Sequence, residues 1–261
     1  MIFDTHAHYD DEAFDQDRES VLGGLAAAGI GTVVNIASDM ASVGTTLALT
    51  RQYPFLYGAV GVHPSSTEEL ERNGEAFETL RQAACQPRIV AIGEIGLDYY
   101  WDEPDRKVQT VWFRRQLNLA RELKKPVVIH SRDAAKDTLT IMREERAAEI
   151  GGVIHCFSYG KEMAEAYLNM GFYLGIGGVL TFKNARKLLE VVEYAPLDRL
   201  VLETDCPYLS PVPYRGKRNT SANLSLVAEA IAGIKGRAAE EIIAVTEKNA
   251  RTLYHMEPVQ L

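Results

Sequence analysis

Six histidines occur in 261 residues: His6, His8, His63, His130, His155 and His255. His6 and His8 stand two apart, so on an extended strand both imidazoles face one side and can bite a single cation. Taken alone, a His-x-His pair fits a packing role as well. Two carboxylates have comparable settings. Glu94 lies in Ile92-Gly93-Glu94-Ile95-Gly96-Leu97-Asp98, between glycines that let backbone approach closely, and Asp205 ends Leu202-Glu203-Thr204-Asp205. Imidazole nitrogens and carboxylate oxygens form the donor set of a divalent-metal site. His6, His8, Glu94, His130, His155 and Asp205 supply four imidazoles and two carboxylates. One carboxylate can bridge two ions held about 3.5–4 Å apart, which makes a dinuclear hydrolytic centre the chemistry to expect. A ring of polar residues serving only loop backbone does not need that many imidazoles.

The elements that must position these residues alternate regularly. Val/Ile/Leu-rich runs at 2–5, 32–36, 56–60, 89–92, 127–129, 152–154, 173–176 and 200–202 predict strands. Several are apolar throughout, as parallel strands buried on both faces are. Helical patterns fall at 18–28, 43–52, 105–123, 134–149, 161–170, 185–192, 222–234 and 238–253. Repeats of about 33 residues match one βα unit with its loops, and eight such units close into a (β/α)8 TIM barrel. The rival, an open doubly wound sheet, lacks its glycine fingerprint after any strand. With no Pro/Gly-rich linker, residues 1–261 read as one domain. Five histidines directly follow strand candidates, and in a barrel the C-terminal strand ends carry the active site.

Composition narrows the class. The formal charge is −8, apolar residues make up 46% and charged residues 25%, which excludes disorder as the main state. The acidic balance argues against coating of duplex DNA by counterion release, but not against a nuclease, whose metals reverse the local sign. The opening Met1-Ile2-Phe3-Asp4 lacks the basic start of a signal peptide, and no apolar run approaches the ~20 residues of a membrane helix. Cys85, Cys156 and Cys206 fit reduced thiols in a cytoplasm. Cys156 and Cys206, each following a candidate ligand, alternate away from the mouth and read as small buried residues.

In order along the chain, these blocks resemble the TatD family of metal-dependent hydrolases in the amidohydrolase superfamily. The resemblance rests on Asp4-Thr5-His6-Ala7-His8, Gly61-Val62-His63-Pro64 and Gly93-Glu94-Ile95-Gly96-Leu97-Asp98-Tyr99-Tyr100. It continues through Pro126 to Arg132, His155-Cys156-Phe157-Ser158, Thr181 to Ala185, Glu203 to Leu209 and Arg215-Gly216-Lys217-Arg218-Asn219. It implies a TIM barrel, one metal on His6, His8, Glu94 and Asp205, and a second on Glu94, His130 and His155. The implied activity is metal-dependent hydrolysis of DNA, 3′→5′ on single strands. Two departures stand in mouth loops. Asn219-Thr220-Ser221 occupies a place where the family commonly has Asn-Glu-Pro or Asn-x-Pro, and Tyr159 one where it often has Gly. Both bear on substrate contacts.

A bound divalent ion brings the pKa of a water toward neutrality, and Asp205 is the expected proton acceptor, with Glu94 bridging. Glu203 takes either a supporting or a catalytic role. Imidazole-rich ligation suits Zn, Mn, Ni or Fe better than Mg, though Mg at high concentration can serve. Substrate candidates are Arg132 and the Arg215/Lys217/Arg218 cluster, the latter either a phosphate clamp or a solvated basic loop. His63 either contacts substrate or holds a loop. Tyr99, Tyr100, Phe157 and Tyr208 can stack a base or pack the rim; for Trp101 rim packing is the expectation. Gln109, Phe113 and Gln116, at helical spacing, read as packing. His255 gets no function. The substrate is single-stranded DNA or DNA ends, with no membrane and no obligate protein partner, and a monomer suffices. An ester or amide hydrolase, such as an aminoacyl-tRNA deacylase, is the alternative on the same scaffold, and a binding protein with an inactive metal site is the third reading.

Overall fold

In the computed structural model, which describes residues 1–101 and 103–256, the expected strand–helix alternation is present. The strands are β1 (Ile2–Ala7), β2 (Ile30–Ile36), β3 (Leu56–Val60), β4 (Ile89–Asp98), β5 (Val127–Arg132), β6 (Gly152–Ile154), β7 (Tyr173–Ile176) and β8 (Leu200–Leu202). They form one sheet in the order β1 to β8, and the pairs β1–β2, β3–β4, β4–β5, β5–β6 and β7–β8 are parallel. A parallel bridge from Ala7 to Cys206 joins the end of β1 to the chain beyond β8, so this is the (β/α)8 barrel class. Helices α1 (Arg18–Gly24), α2 (Met40–Gln52), α3 (Glu68–Arg72), α4 (Ala76–Ala84), α5 (Arg106–Leu123), α6 (Ala135–Glu144), α7 (Lys161–Asn169) and α8 (Arg186–Tyr194) lie between the strands. After β8 come α9 (Leu224–Lys235) and α10 (Ala239–Leu253). Among the described residues no helix is long and apolar enough to cross a membrane.

Contacts gather the chain into two compact units. One comprises 1–35, 156–168 and residues from 173 onward. In it Phe3, Leu22, Ile30, Val33, Leu200 and Ile242 are buried, and α10 fastens the strands from behind. Asn249 Nδ2 donates to the carbonyls of Leu197 and Leu200 at 2.8 Å, and Tyr254 OH donates to that of Thr5 at 2.8 Å. The other unit comprises 36–155 and 169–172, with Leu56, Ile92, Ile95, Phe113, Leu117 and Ile129 in its core.

Several boundaries differ from the sequence pattern for identifiable reasons. β4 runs six residues past Ile92, because Gly93 and Gly96 are not breaks but sites of close approach. A Cβ on Gly96, at φ +150, would meet the His130 carbonyl oxygen at 1.9 Å. The extension pairs Gly96 with His130 and Asp98 with Arg132, so β4 and β5 run on together past Ile129. The helix expected over 134–149 splits into α6 and a 3-10 turn at Ala147–Glu149, with Arg146 left-handed at φ 51. α3 and α4, for which the sequence pattern gives no helix, fill the β3–β4 crossover.

Gln109 and Gln116 lie seven apart on α5, on one face, and both are fully buried. Gln116 accepts from the Val62 amide at 2.8 Å and donates to the Val62 carbonyl at 3.1 Å. Gln109 accepts from the Asp98 amide at 2.9 Å and donates to the carbonyls of Asp98 and Pro104 at 3.0 and 2.9 Å. They are clamps on backbone rather than packing, holding the chain beside His63 and the end of β4. Gln116→Leu strands two buried backbone groups and should cost about 2–4 kcal/mol in urea unfolding. A loss below about 0.5 kcal/mol would show that the clamp contributes nothing.

Candidate metal centre

In the first unit, β1 presents His6, and His8 follows its end. His6 Nε2 and His8 Nε2 are 3.0 Å apart, and Asp205 Oδ1 lies 3.3 Å from His8 Nε2 and 3.6 Å from His6 Nε2. Donors sitting about 2.0–2.2 Å from one tetrahedral ion are about 3.3–3.6 Å from each other, which both Asp205 distances match, while the two imidazole nitrogens sit closer. The amides of Thr204 and Asp205 both donate to the His6 carbonyl, and the His8 amide to that of Cys206. Asp205 thereby adopts φ 57, a left-handed geometry uncommon outside glycine.

Behind this trio Asp4 is wholly buried. It accepts hydrogen bonds from Ser221 Oγ and Thr204 Oγ1, both at 2.7 Å, and from the amides of Thr204 and His6 at 3.1 and 3.2 Å. Tyr9 OH contacts Ser221 Oγ at 2.8 Å and accepts from its amide at 3.0 Å. Ser221, the departure expected to bear on substrate, instead completes the support under β1. Burial pushes the Asp4 carboxyl up to about 7, against the pull of its four donors. Glu203 is buried too, accepting from the Cys156 amide at 2.5 Å.

In the second unit, Glu94 is only 4% exposed. Its Oε1 lies 2.6 Å from His130 Nδ1 and 3.5 Å from His155 Nε2. The other nitrogen of His130, Nε2, lies 3.0 Å from Asp98 Oδ2. Glu94, His130 and His155 bring three ligand atoms close enough to hold one ion. A histidine that donates its second ring nitrogen to a carboxylate is oriented and made more basic, so Asp98 is a fitting outer partner. In sequence Asp98 stands only within the block that resembles the family, and its place beside Glu94 on one strand follows from β4 extending past Gly93. His63 caps a 3-10 turn at Pro64–Ser66, its Nδ1 3.1 Å from the Ser65 amide and its ring edge-on to His130 at 4.3 Å.

Burial opposes the charge on Glu94, yet the imidazoles of His155 and His130 hold its carboxyl well below the usual range. Burial likewise works against His130, which Glu94 and Asp98 nonetheless raise. Asp98, opposed by burial, is lowered by His130 and by the amides of Trp101 and Tyr100. Buried carboxylates kept ionised beside imidazoles suit a cation binder.

The remaining candidates fall into three settings. Arg215 stacks on Phe182 at 3.7 Å, and with Lys217, Tyr208 and Asp11 it lines a groove of about 970 Å³ in the first unit. Among the described residues neither Arg215 nor Lys217 has a carboxylate partner. Arg218 is engaged, bidentate to Asp17 at 2.6 and 2.8 Å, and Tyr208 OH donates to Asp11 at 2.7 Å. Arg132 stacks over Tyr100 at 3.9 Å in the second unit. Trp101, expected to pack the rim, is exposed instead. Phe157 and Cys206 are buried, Cys156 is half-buried, and Cys85 and His255 are exposed.

The chain matches the family described as TatD related DNase over residues 3–255. It is 41% identical to the metal-dependent hydrolase YabD of Bacillus subtilis over 256 residues, covering 98% of this chain and 100% of that one. Against the metal-dependent hydrolase YcfH of Escherichia coli K12 the identity is 38%, over 100% and 98% of the two chains. The crystal structure of YjjV, a TatD homologue of Escherichia coli K12, superposes with a TM-score of 0.90 at 32% identity and 98% coverage of both.

Asp98→Asn removes the charge behind His130 and should weaken binding of Mn or Zn about 10–100-fold in a chelator competition; unchanged affinity would exclude that support. Asp4 gives a pH signature. Its folded pKa lies above the unfolded 3.8, so its stabilisation is fully present below about pH 4 and lost as pH rises through about 7. Urea midpoints of metal-free protein between about pH 5 and about pH 8 should therefore depend less on pH in Asp4→Asn than in the parent. Equal slopes would place the Asp4 pKa near its unfolded value.

Proposed function

The chain belongs to the TatD family of metal-dependent hydrolases, and from that premise we propose that it hydrolyses phosphodiester bonds of single-stranded DNA from an end, with a two-metal centre. The observation that carries this reading is the pair of imidazole–carboxylate groups whose donor atoms lie close enough together to hold an ion, one on each compact unit. His6, His8 and Asp205 would hold one ion, and Glu94, His130 and His155 the other. When bound, such ions supply a water of near-neutral pKa and a Lewis acid for a phosphate oxygen.

The protein's own groups do the rest. Asp205 orients the attacking water and takes its proton. Asp98 holds the His130 ring in one orientation, and Asp4 keeps the His6 and Thr204 backbones in register. Arg215 and Lys217, without carboxylate partners among the described residues, neutralise substrate phosphate, and Arg218 braces their loop through Asp17. His63, edge-on to His130, contacts the substrate phosphate side. The imidazole-rich donor set favours Zn, Mn, Ni or Fe over Mg.

Metal-stripped protein should shorten 5′-labelled single-stranded oligonucleotide stepwise only after Mn, Zn or Mg is restored. Asp205→Asn should lower the rate about 10²–10⁴-fold, and Glu94→Ala should abolish metal-restored activity. Metal binding without cleavage of either a 5′- or a 3′-labelled strand would overturn the nuclease reading in favour of ester or amide substrates.

A further inference from the structure

The loop after β4 presents two large aromatic side chains to solvent: Tyr100 is 55% exposed and Trp101 65% exposed. Isolated exposed apolar residues need no explanation, but these two are adjacent, in edge-to-face contact at 4.9 Å and 89°, with the Arg132 guanidinium 3.9 Å above Tyr100. Their neighbour Tyr99 shows the alternative. Its hydroxyl donates to Asp137 at 3.0 Å, Arg106 stacks on its ring, and burial pushes its phenol up to about 12. The chain thus ties down one aromatic of three and leaves two outward.

The outward pair is nonetheless built. Asp98 Oδ1 accepts from the amides of Tyr100 and Trp101 at 2.9 and 3.4 Å. The same carboxylate meets His130 through Oδ2, and its backbone is clamped by buried Gln109. Arg132 pairs in register with Asp98 across β4–β5, and among the described residues its guanidinium has no carboxylate partner. An aromatic face beside an uncommitted guanidinium, fixed to the ligand-bearing strand, has the two parts that recognise a nucleotide: a stacking surface and a phosphate donor.

We propose that Trp101, Tyr100 and Arg132 form a platform that seats one unpaired nucleotide of the substrate, the base stacked on Trp101 and its phosphate on Arg132. This rests on the nuclease reading and deepens it, because a base inside a duplex has no free face to offer. Base selectivity is low, since every base has a π-face, and the preference is for unpaired over paired strands.

The chain has two tryptophans, and the second, Trp112, is 3% exposed with its Nε1 donating to Glu71 at 2.7 Å. Both emit, but only Trp101 is open to a ligand, so ligand-dependent quenching in metal-free protein reads Trp101 without turnover. An octamer of thymidylate should quench it saturably, whereas an abasic octamer of the same backbone should not, and should bind about tenfold more weakly by anisotropy. Trp101→Ala and Tyr100→Ala should each weaken thymidylate binding about tenfold, and Trp101→Phe should restore most of it. Equal affinity for the two octamers, or no quenching on thymidylate binding, would overturn the platform. Quenching that instead follows protein concentration would overturn it in favour of self-association. Failure of the metal-loaded protein to cleave any strand would remove the nuclease reading, while the quenching still decides whether the platform takes a base.

Discussion

The structure depends on a carboxylate charge kept where water barely reaches it. Glu94 is almost wholly buried at the end of a strand interior, and an isolated carboxylate there would simply take up a proton. It stays ionised because His130 and His155 face it and because Asp98 backs His130 from the far side. A buried chain of carboxylate, imidazole and carboxylate is a poor device for stability, since well-packed apolar residues would do as well or better. It does hold donor atoms close enough together for a cation.

That constraint propagates outward. Glu94 and Asp98 can share a strand only if β4 continues past Ile92, and it continues only because Gly93 and Gly96 let β5 come within backbone contact. The end of β4 is then secured by Gln109, and the approach to His63 by Gln116, from a single helix face. In the other unit Asp4 plays a corresponding part. One buried carboxyl gathers donors from β1, from the segment after β8 and from Ser221, so His6 and the turn leading to Asp205 are set against the same group.

Much of this was legible in the sequence, and what was not has a common cause. Strand runs of Val, Ile and Leu carried the barrel class and the order of its strands, and the histidines after them led to the two groups of imidazoles and carboxylates. Asp98, Gln109, Gln116 and Ser221 were not assignable, because each works through a partner outside its own element or through a strand extension that glycine disguises. A glycine-flanked run looks like punctuation until the neighbouring strand is known to need the space. Trp101 failed for the opposite reason. Large aromatics default to burial, and nothing in its local pattern says that Asp98 would turn it outward. Arg218 carries the same signal as Arg215 and Lys217, and only the position of Asp17 separates a brace from a phosphate contact.

We propose these two groups of imidazoles and carboxylates as metal ligands. Crystals grown with Mn and measured at its absorption edge test this most directly, since anomalous density locates the ions without assumption about turnover. The account predicts peaks about 2.0–2.3 Å from Glu94 and a His130 ring nitrogen and from His6, His8 and Asp205, with the peak beside His130 lost in Glu94→Gln. Full-occupancy Mn elsewhere, with both groups of side chains remaining in direct hydrogen-bond contact with one another, would contradict it.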